Sequence, residues 1–124
     1  MFEIDVQREF SAAHHLAGYP GNCARLHGHN WTVQVVVRAP ATDALGIACD
    51  FRKLKKELDE VLAEFDHQDL GKLACFAGEN PTSERLAKMI FKQLAARLNA
   101  PGLQVARVRV CESPGAGATY HEDN

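Results

Sequence analysis

His27-Gly28-His29-Asn30-Trp31-Thr32-Val33-Gln34-Val35-Val36-Val37-Arg38 is the stretch from which the fold of this chain can be read. Trp31, Val33, Val35 and Val37 recur at every second position, the period of a half-buried strand, and they predict one from about His29 to Arg38. Side chains two apart share a face of a strand. If His27 and His29 are also extended, both imidazoles stand on the side of the apolar row. Upstream, Phe2, Ile4 and Val6 alternate with Glu3, Asp5 and Gln7, which predicts a first strand running into Phe10. The turn-forming Gly18-Tyr19-Pro20-Gly21-Asn22 lies between the two runs, and a hairpin would bring His14 toward His27 and His29.

Downstream the period changes. Ala39 to Ala48 is a connection, and Asp50 is a suitable N-cap for a helix with apolar positions Phe51, Leu54, Leu58, Val61, Leu62 and Phe65. Lys53, Lys55, Lys56, Glu57, Asp59, Glu60 and Glu64 form its solvated face. A second helix is expected from Asn80-Pro81, an N-cap followed by proline at the first helical position, carrying Leu86, Ile90, Leu94 and Leu98 inward and ending near Asn99-Ala100-Pro101-Gly102. Leu103 to Glu112 alternates as a strand with Val108, Val110 and Glu112 on one face, and Ala118 to Glu122 adds a short edge strand after the Pro114-Gly115 turn. The order strand, strand, helix, helix, strand, strand implies an α+β fold: an antiparallel four-stranded sheet with two helices on one face. Its bare face and free edges call for protection, which oligomerisation would supply.

The 124 residues are read as one domain, large enough to bury a core without disulfide staples. A formal charge of −2 gives no electrostatic reason to expect nucleic acid or an anionic membrane, so a small molecule is the expected partner. No apolar run reaches the length of a membrane span, and because Met1 leads directly into the alternating pattern no signal segment is expected. The expected location is cytoplasmic. Its four cysteines, Cys23, Cys49, Cys75 and Cys111, contain no Cys-x-x-Cys pair and are expected as free thiols.

Candidate chemistry is concentrated between His14 and His29. Histidines two apart occur on many ordinary strands, so His27 and His29 alone leave metal binding open; His14 adds a third imidazole. Three neutral ligands leave a position on a tetrahedral zinc for water or substrate, the mark of a catalytic site. His15, next to His14, would point the other way. Cys49, Cys75 and Cys111 read as small buried hydrophobes. Cys23 sits instead in the Gly/Pro/Asn-rich loop beside the histidines, where a cation would favour the thiolate and make it a base or nucleophile. Asp66-His67 closes the first helix, so His67 either answers the helix dipole or forms an Asp-His relay with a thiol. Glu112, at the end of its strand, is either solvated or holds a group with two donors.

Phe10-Ser11-Ala12-Ala13-His14, Cys23-x-x-x-His27-Gly28-His29-Asn30, Asp66-His67, Pro81-Thr82-x-Glu84 and Glu112 together resemble the 6-pyruvoyltetrahydropterin synthase family, in order and over nearly the whole chain. Three residues between the cysteine and His-Gly-His resemble in particular the bacterial 6-carboxytetrahydropterin synthases of queuosine biosynthesis. The resemblance implies Zn2+ on His14, His27 and His29, Cys23 as the base that moves a side-chain proton, and Asp66 with His67 as its relay. It also implies that Glu112 anchors a pterin ring, with Thr82 and Ser83 at the start of a pterin-contacting loop. The fold so implied is the tunnelling fold, whose sheets join into a barrel and stack as a hexamer with sites between subunits. The expected reaction turns 7,8-dihydroneopterin triphosphate into 6-carboxy-5,6,7,8-tetrahydropterin, acetaldehyde and triphosphate. A pyruvoyl-type synthase, a non-catalytic zinc or pterin-binding module and an unrelated zinc hydrolase are the alternatives. Two positions depart from the family pattern: His15 replaces the usual arginine and Gly71 the usual asparagine.

Overall fold

The structure is a computed structural model that describes residues 1–122. Strands β1 (Phe2–His14) and β2 (His27–Ala39) form an antiparallel hairpin whose register runs from Phe2 opposite Ala39 to His14 opposite His27. Helix α1 (Phe51–Leu62), the two-residue strand β3 (Gln68–Asp69), helix α2 (Ser83–Leu98), β4 (Gln104–Ser113) and β5 (Ala116–Tyr120) follow. The strand order is β3-β1-β2-β4-β5. The sheet therefore has five strands instead of the expected four, and it is mixed, because β3 runs parallel to β1 beside Ala12 and Ala13. So short a strand carries no alternation that a sequence could show.

Both helices cover one face. Phe10, Trp31, Val33, Val35, Val37, Val108 and Val110 meet Leu54, Leu58, Val61 and Leu62 of α1 and Leu86, Ile90, Leu94 and Leu98 of α2, all buried. Trp31 stacks on Phe10 with rings 5.9 Å apart, and its Nε1 donates to the Ala12 carbonyl. The opposite face is polar. There Glu3 of β1 pairs with Arg107 of β4 at 3.0 Å and lies 3.8 Å from Arg38 of β2. Water can cover such a face; the edges are more exposed. Among the described residues β3 pairs only with Ala12 and Ala13, so most of β1's outer edge lacks a strand partner.

Several boundaries differ from expectation. β1 continues past Phe10 to His14 and β2 begins at His27, because pairing across the hairpin keeps both strands extended after the apolar alternation lapses. Asp50 caps α1 as expected, accepting from the Arg52 amide at 2.8 Å, but Phe51 is exposed at the helix's first position. The helix stops at Leu62, so Asp66-His67 does not close it and the helix-dipole reading of His67 falls. Thr82, not Asn80, caps α2 by accepting from the Arg85 amide at 3.2 Å, and Pro81 precedes the helix. Asn80 has another use. Its side chain exchanges two hydrogen bonds with the Ala17 backbone, at 3.1 and 3.0 Å, and fastens the β1–β2 loop to the start of α2. β5 begins at Ala116 and ends at Tyr120, two residues earlier than expected at each end.

Candidate metal centre and its surroundings

The hairpin register builds the site. His14 is the last residue of β1 and pairs with His27, while His29 lies opposite Ala12 on the same face. The His14 ring centroid is 4.6 Å from that of His27 and 5.1 Å from that of His29, and one nitrogen from each ring lies within 4.8 Å of the others. Trp31 lies edge-on to His14 and His29 and forms the apolar floor.

Backbone carbonyls orient two of the rings. His14 Nδ1 is 2.9 Å from the Pro81 carbonyl and His27 Nδ1 is 2.7 Å from that of Arg25. A carbonyl can only accept, so each ring donates through Nδ1 and offers an Nε2 lone pair, the arrangement that outer contacts impose on metal-ligating histidines. Burial holds the His14 imidazole below the usual histidine range, and its histidine neighbours push the same way. A neutral imidazole is the ligating form. His14 Nε2 and His29 Nε2 are buried with no hydrogen-bond partner. Buried polar atoms are nearly always satisfied, and two orphaned nitrogens facing a third imidazole fit a metal ion.

Glu112 lies beside two of the three histidines, a placement that its position at a strand end did not disclose. Its Oε2 lies 3.5 Å from His14 Nε2 and 3.6 Å from His29 Nε2. The β4–β5 register shifts between Cys111 and Ser113, so Glu112 is the extra residue of a bulge, a device that redirects a side chain. Gly117 permits the close approach on which this corner depends: a Cβ there would lie 2.4 Å from Cys111 Sγ and 3.0 Å from the Val110 carbonyl oxygen. Gly117→Ala is expected to destabilise the protein by about 1–3 kcal/mol in urea denaturation, with part recovered by adding Cys111→Ala. An unchanged midpoint for the single variant would show that the corner tolerates the methyl group.

Cys23 is exposed in a single 3-10 turn, Asn22–Ala24, and its thiol is outside the histidine cluster. Its carbonyl accepts from the Leu16 amide at 2.8 Å, which holds this turn beside the chain two residues past His14. Cys49, Cys75 and Cys111 are half-buried, more open than expected, although Cys49 and Cys75 do pack against the core.

Asp66 and His67 are fixed by β1. The Ser11 amide donates to Asp66 Oδ1 at 3.0 Å, and the His67 amide donates to the Ser11 carbonyl at 2.6 Å. The Ser11 contact first, and then His67, hold the Asp66 carboxyl below the usual carboxylate range. His67 Nδ1 lies 2.9 Å from Asp66 Oδ2, with the ring exposed and the backbone at φ 59°, uncommon for a residue other than glycine. His67 opens on a depression of about 500 Å3 that His29 and Asn30 also line. Thr82 is occupied as a helix cap and Ser83 is the first residue of α2; both are half-buried. Pro81 and Arg25 were not legible as site residues, because they act through carbonyls that every residue possesses. His15 and Gly71, the two departures from the family pattern, are neighbours: a Cβ on Gly71 would lie 3.8 Å from His15 Cε1.

Fold and site together define an α+β protein whose sheet carries, at the open end of its first hairpin, a three-histidine cluster able to hold a metal ion. The chain belongs to the 6-pyruvoyl tetrahydropterin synthase family, whose pattern it matches over residues 3–123, and so to a family of enzymes acting on pterins. It is 39% identical over 110 residues to a putative 6-carboxy-5,6,7,8-tetrahydropterin synthase of Archaeoglobus fulgidus, covering 89% of this chain and 87% of that one. A 6-carboxy-5,6,7,8-tetrahydropterin synthase of Synechocystis is 36% identical, covering 97% and 93%. A dihydroneopterin monophosphate aldolase of Pyrococcus furiosus is 40% identical, covering 80% and 78%. The solved 6-pyruvoyl tetrahydropterin synthase of Caenorhabditis elegans superposes with a TM-score of 0.87 at 30% identity, covering 98% and 96%. No helix is long and apolar enough to cross a membrane among the described residues.

Proposed function

We propose that this chain is a Zn2+-dependent 6-carboxy-5,6,7,8-tetrahydropterin synthase acting in queuosine and related 7-deazaguanine biosynthesis. In this reading 7,8-dihydroneopterin triphosphate and water become 6-carboxytetrahydropterin, acetaldehyde and triphosphate. The observation that carries it is the convergence of His14, His27 and His29 with two buried, unsatisfied Nε2 atoms, a cluster able to hold a metal ion in a family that acts on pterins. The carboxy product is favoured over the pyruvoyl one by the Cys23-x-x-x-His27 spacing and by the names of the Archaeoglobus and Synechocystis relatives.

A bound zinc would polarise the side-chain hydroxyls and acidify the neighbouring C–H bond. The Cys23 thiolate takes that proton, and His67, held by Asp66, carries protons in the steps that follow. Glu112 receives the paired N–H donors of the pterin ring, and Thr82 and Ser83 border the ring from the start of α2. The open edges of β1 and β5 support a homohexamer in which sheets join between subunits and the sites lie at those junctions.

A second reading is an aldolase-type cleavage of the side chain with no phosphate elimination, so that the phosphate stays on the released aldehyde fragment, favoured by the 40% identity to the Pyrococcus enzyme. Purified zinc-loaded protein incubated with 7,8-dihydroneopterin triphosphate separates these readings by mass spectrometry. Stoichiometric acetaldehyde and triphosphate are expected. Triphosphate without acetaldehyde identifies the pyruvoyl-type synthase, carbon–carbon cleavage with phosphate retained on the aldehyde fragment identifies the aldolase, and unchanged substrate identifies a binding module.

A further inference from the structure

Oε2 of Glu112 faces Nε2 of both His14 and His29, and neither nitrogen has a hydrogen-bond partner. His14 Nδ1 donates to the Pro81 carbonyl, so its Nε2 presents a lone pair toward Glu112 and not a proton. At 3.5 and 3.6 Å from the two nitrogens, Glu112 makes a hydrogen bond with neither, and both nitrogens are buried without a partner. A carboxylate oxygen facing the His14 lone pair is repulsive unless a cation lies between them. The spacing is also that of a coordination edge. Two nitrogen or oxygen ligands of a tetrahedral zinc, each about 2.0–2.2 Å from the ion, stand about 3.3–3.5 Å apart.

We propose that Glu112 is the fourth ligand of the metal in the substrate-free enzyme and leaves it when the pterin ring arrives. The inference rests on the proposed metal centre and on the ring-anchoring role of Glu112, to which it adds an earlier position for the same carboxylate. The bulge between Cys111 and Ser113 supplies the turn toward the histidines. A side chain 39% exposed at the site's mouth is open to solvent and so to an entering ligand, whereas His14 is 1% exposed and stays in place. The exchange creates no new charge in the site. The carboxylate moves from a cation to a pair of N–H donors, and the fourth position passes to the substrate's oxygen atoms.

Co2+ titration of the metal-free protein, followed by visible absorption and by competition with a chelator, tests this with no substrate present. Wild type is expected to bind Co2+ at least about tenfold more tightly than Glu112→Gln, since even outer contacts to metal ligands are worth about 10–100-fold, and the ligand-field bands should shift between the two. Glu112→Ala should reproduce the loss while far-ultraviolet circular dichroism confirms an intact fold. Equal affinity and superposable spectra in wild type and both variants would overturn the proposal. Failure of the pterin reading would instead appear as wild-type protein that binds Co2+ normally and leaves dihydroneopterin triphosphate unchanged. The metal measurement is independent of that result.

Discussion

Cys23→Ala is expected to lower turnover of 7,8-dihydroneopterin triphosphate by about 10²–10⁴-fold, the range a positioned general base contributes, while the protein retains stoichiometric zinc. Cys23 is exposed in a tethered turn and its sulfur is outside the histidine cluster, so removing it opens no cavity in the core and deletes no proposed ligand. Fold and metal content should therefore survive together, measured by thermal denaturation and metal analysis beside the assay. Cys23→Ser, which keeps the volume but presents a far less acidic group, should fall nearly as far. Normal turnover by Cys23→Ala would remove the thiol from the mechanism. Loss of zinc in the variant would instead place the sulfur on the metal.

His27→Ala is expected to lose both metal and turnover. One of the three imidazoles disappears, and with it the ring that the Arg25 carbonyl orients. Metal affinity should fall by more than the roughly 10–100-fold that follows loss of an outer contact, and activity should fall to background. His27 is only half-buried, so the metal-free variant should melt close to metal-free wild type. Stoichiometric zinc with full activity in His27→Ala would refute the three-histidine centre. His14→Ala should behave alike on metal and turnover, but with a lower melting temperature even when metal-free, because it empties a fully buried site above Trp31 and strands the Pro81 carbonyl.

Much of this arrangement is written locally. Trp31, Val33, Val35 and Val37 fix both the strand and the face it buries, and Leu86, Ile90, Leu94 and Leu98 do the same for α2, because each period repeats long enough to outweigh its exceptions. The same spacing places His27 and His29 on one face. Where the period is short or broken, the sequence misleads. Asn80 before Pro81 looks like a helix start, yet tertiary contact with Ala17 occupies its side chain and Thr82 takes the cap. β3 exists only because the chain after α1 passes β1 with its backbone groups in register, and that passage also fixes His67 through Ser11.

The residues able to do chemistry were determined by the sequence alone: the three histidines, the loop thiol, the Asp66-His67 pair and the carboxylate at the end of β4. Their identities and spacing carry ligand type, and a strand's two-residue period carries the side on which His27 and His29 emerge. Only the tertiary structure decided which of them meet. Hairpin register sets His14 across from His27, the Pro81 carbonyl turns its Nε2 inward, and a one-residue bulge brings Glu112 to both buried nitrogens. Register, carbonyl direction and bulge are properties of paired backbones, and they arise when distant segments fold against each other.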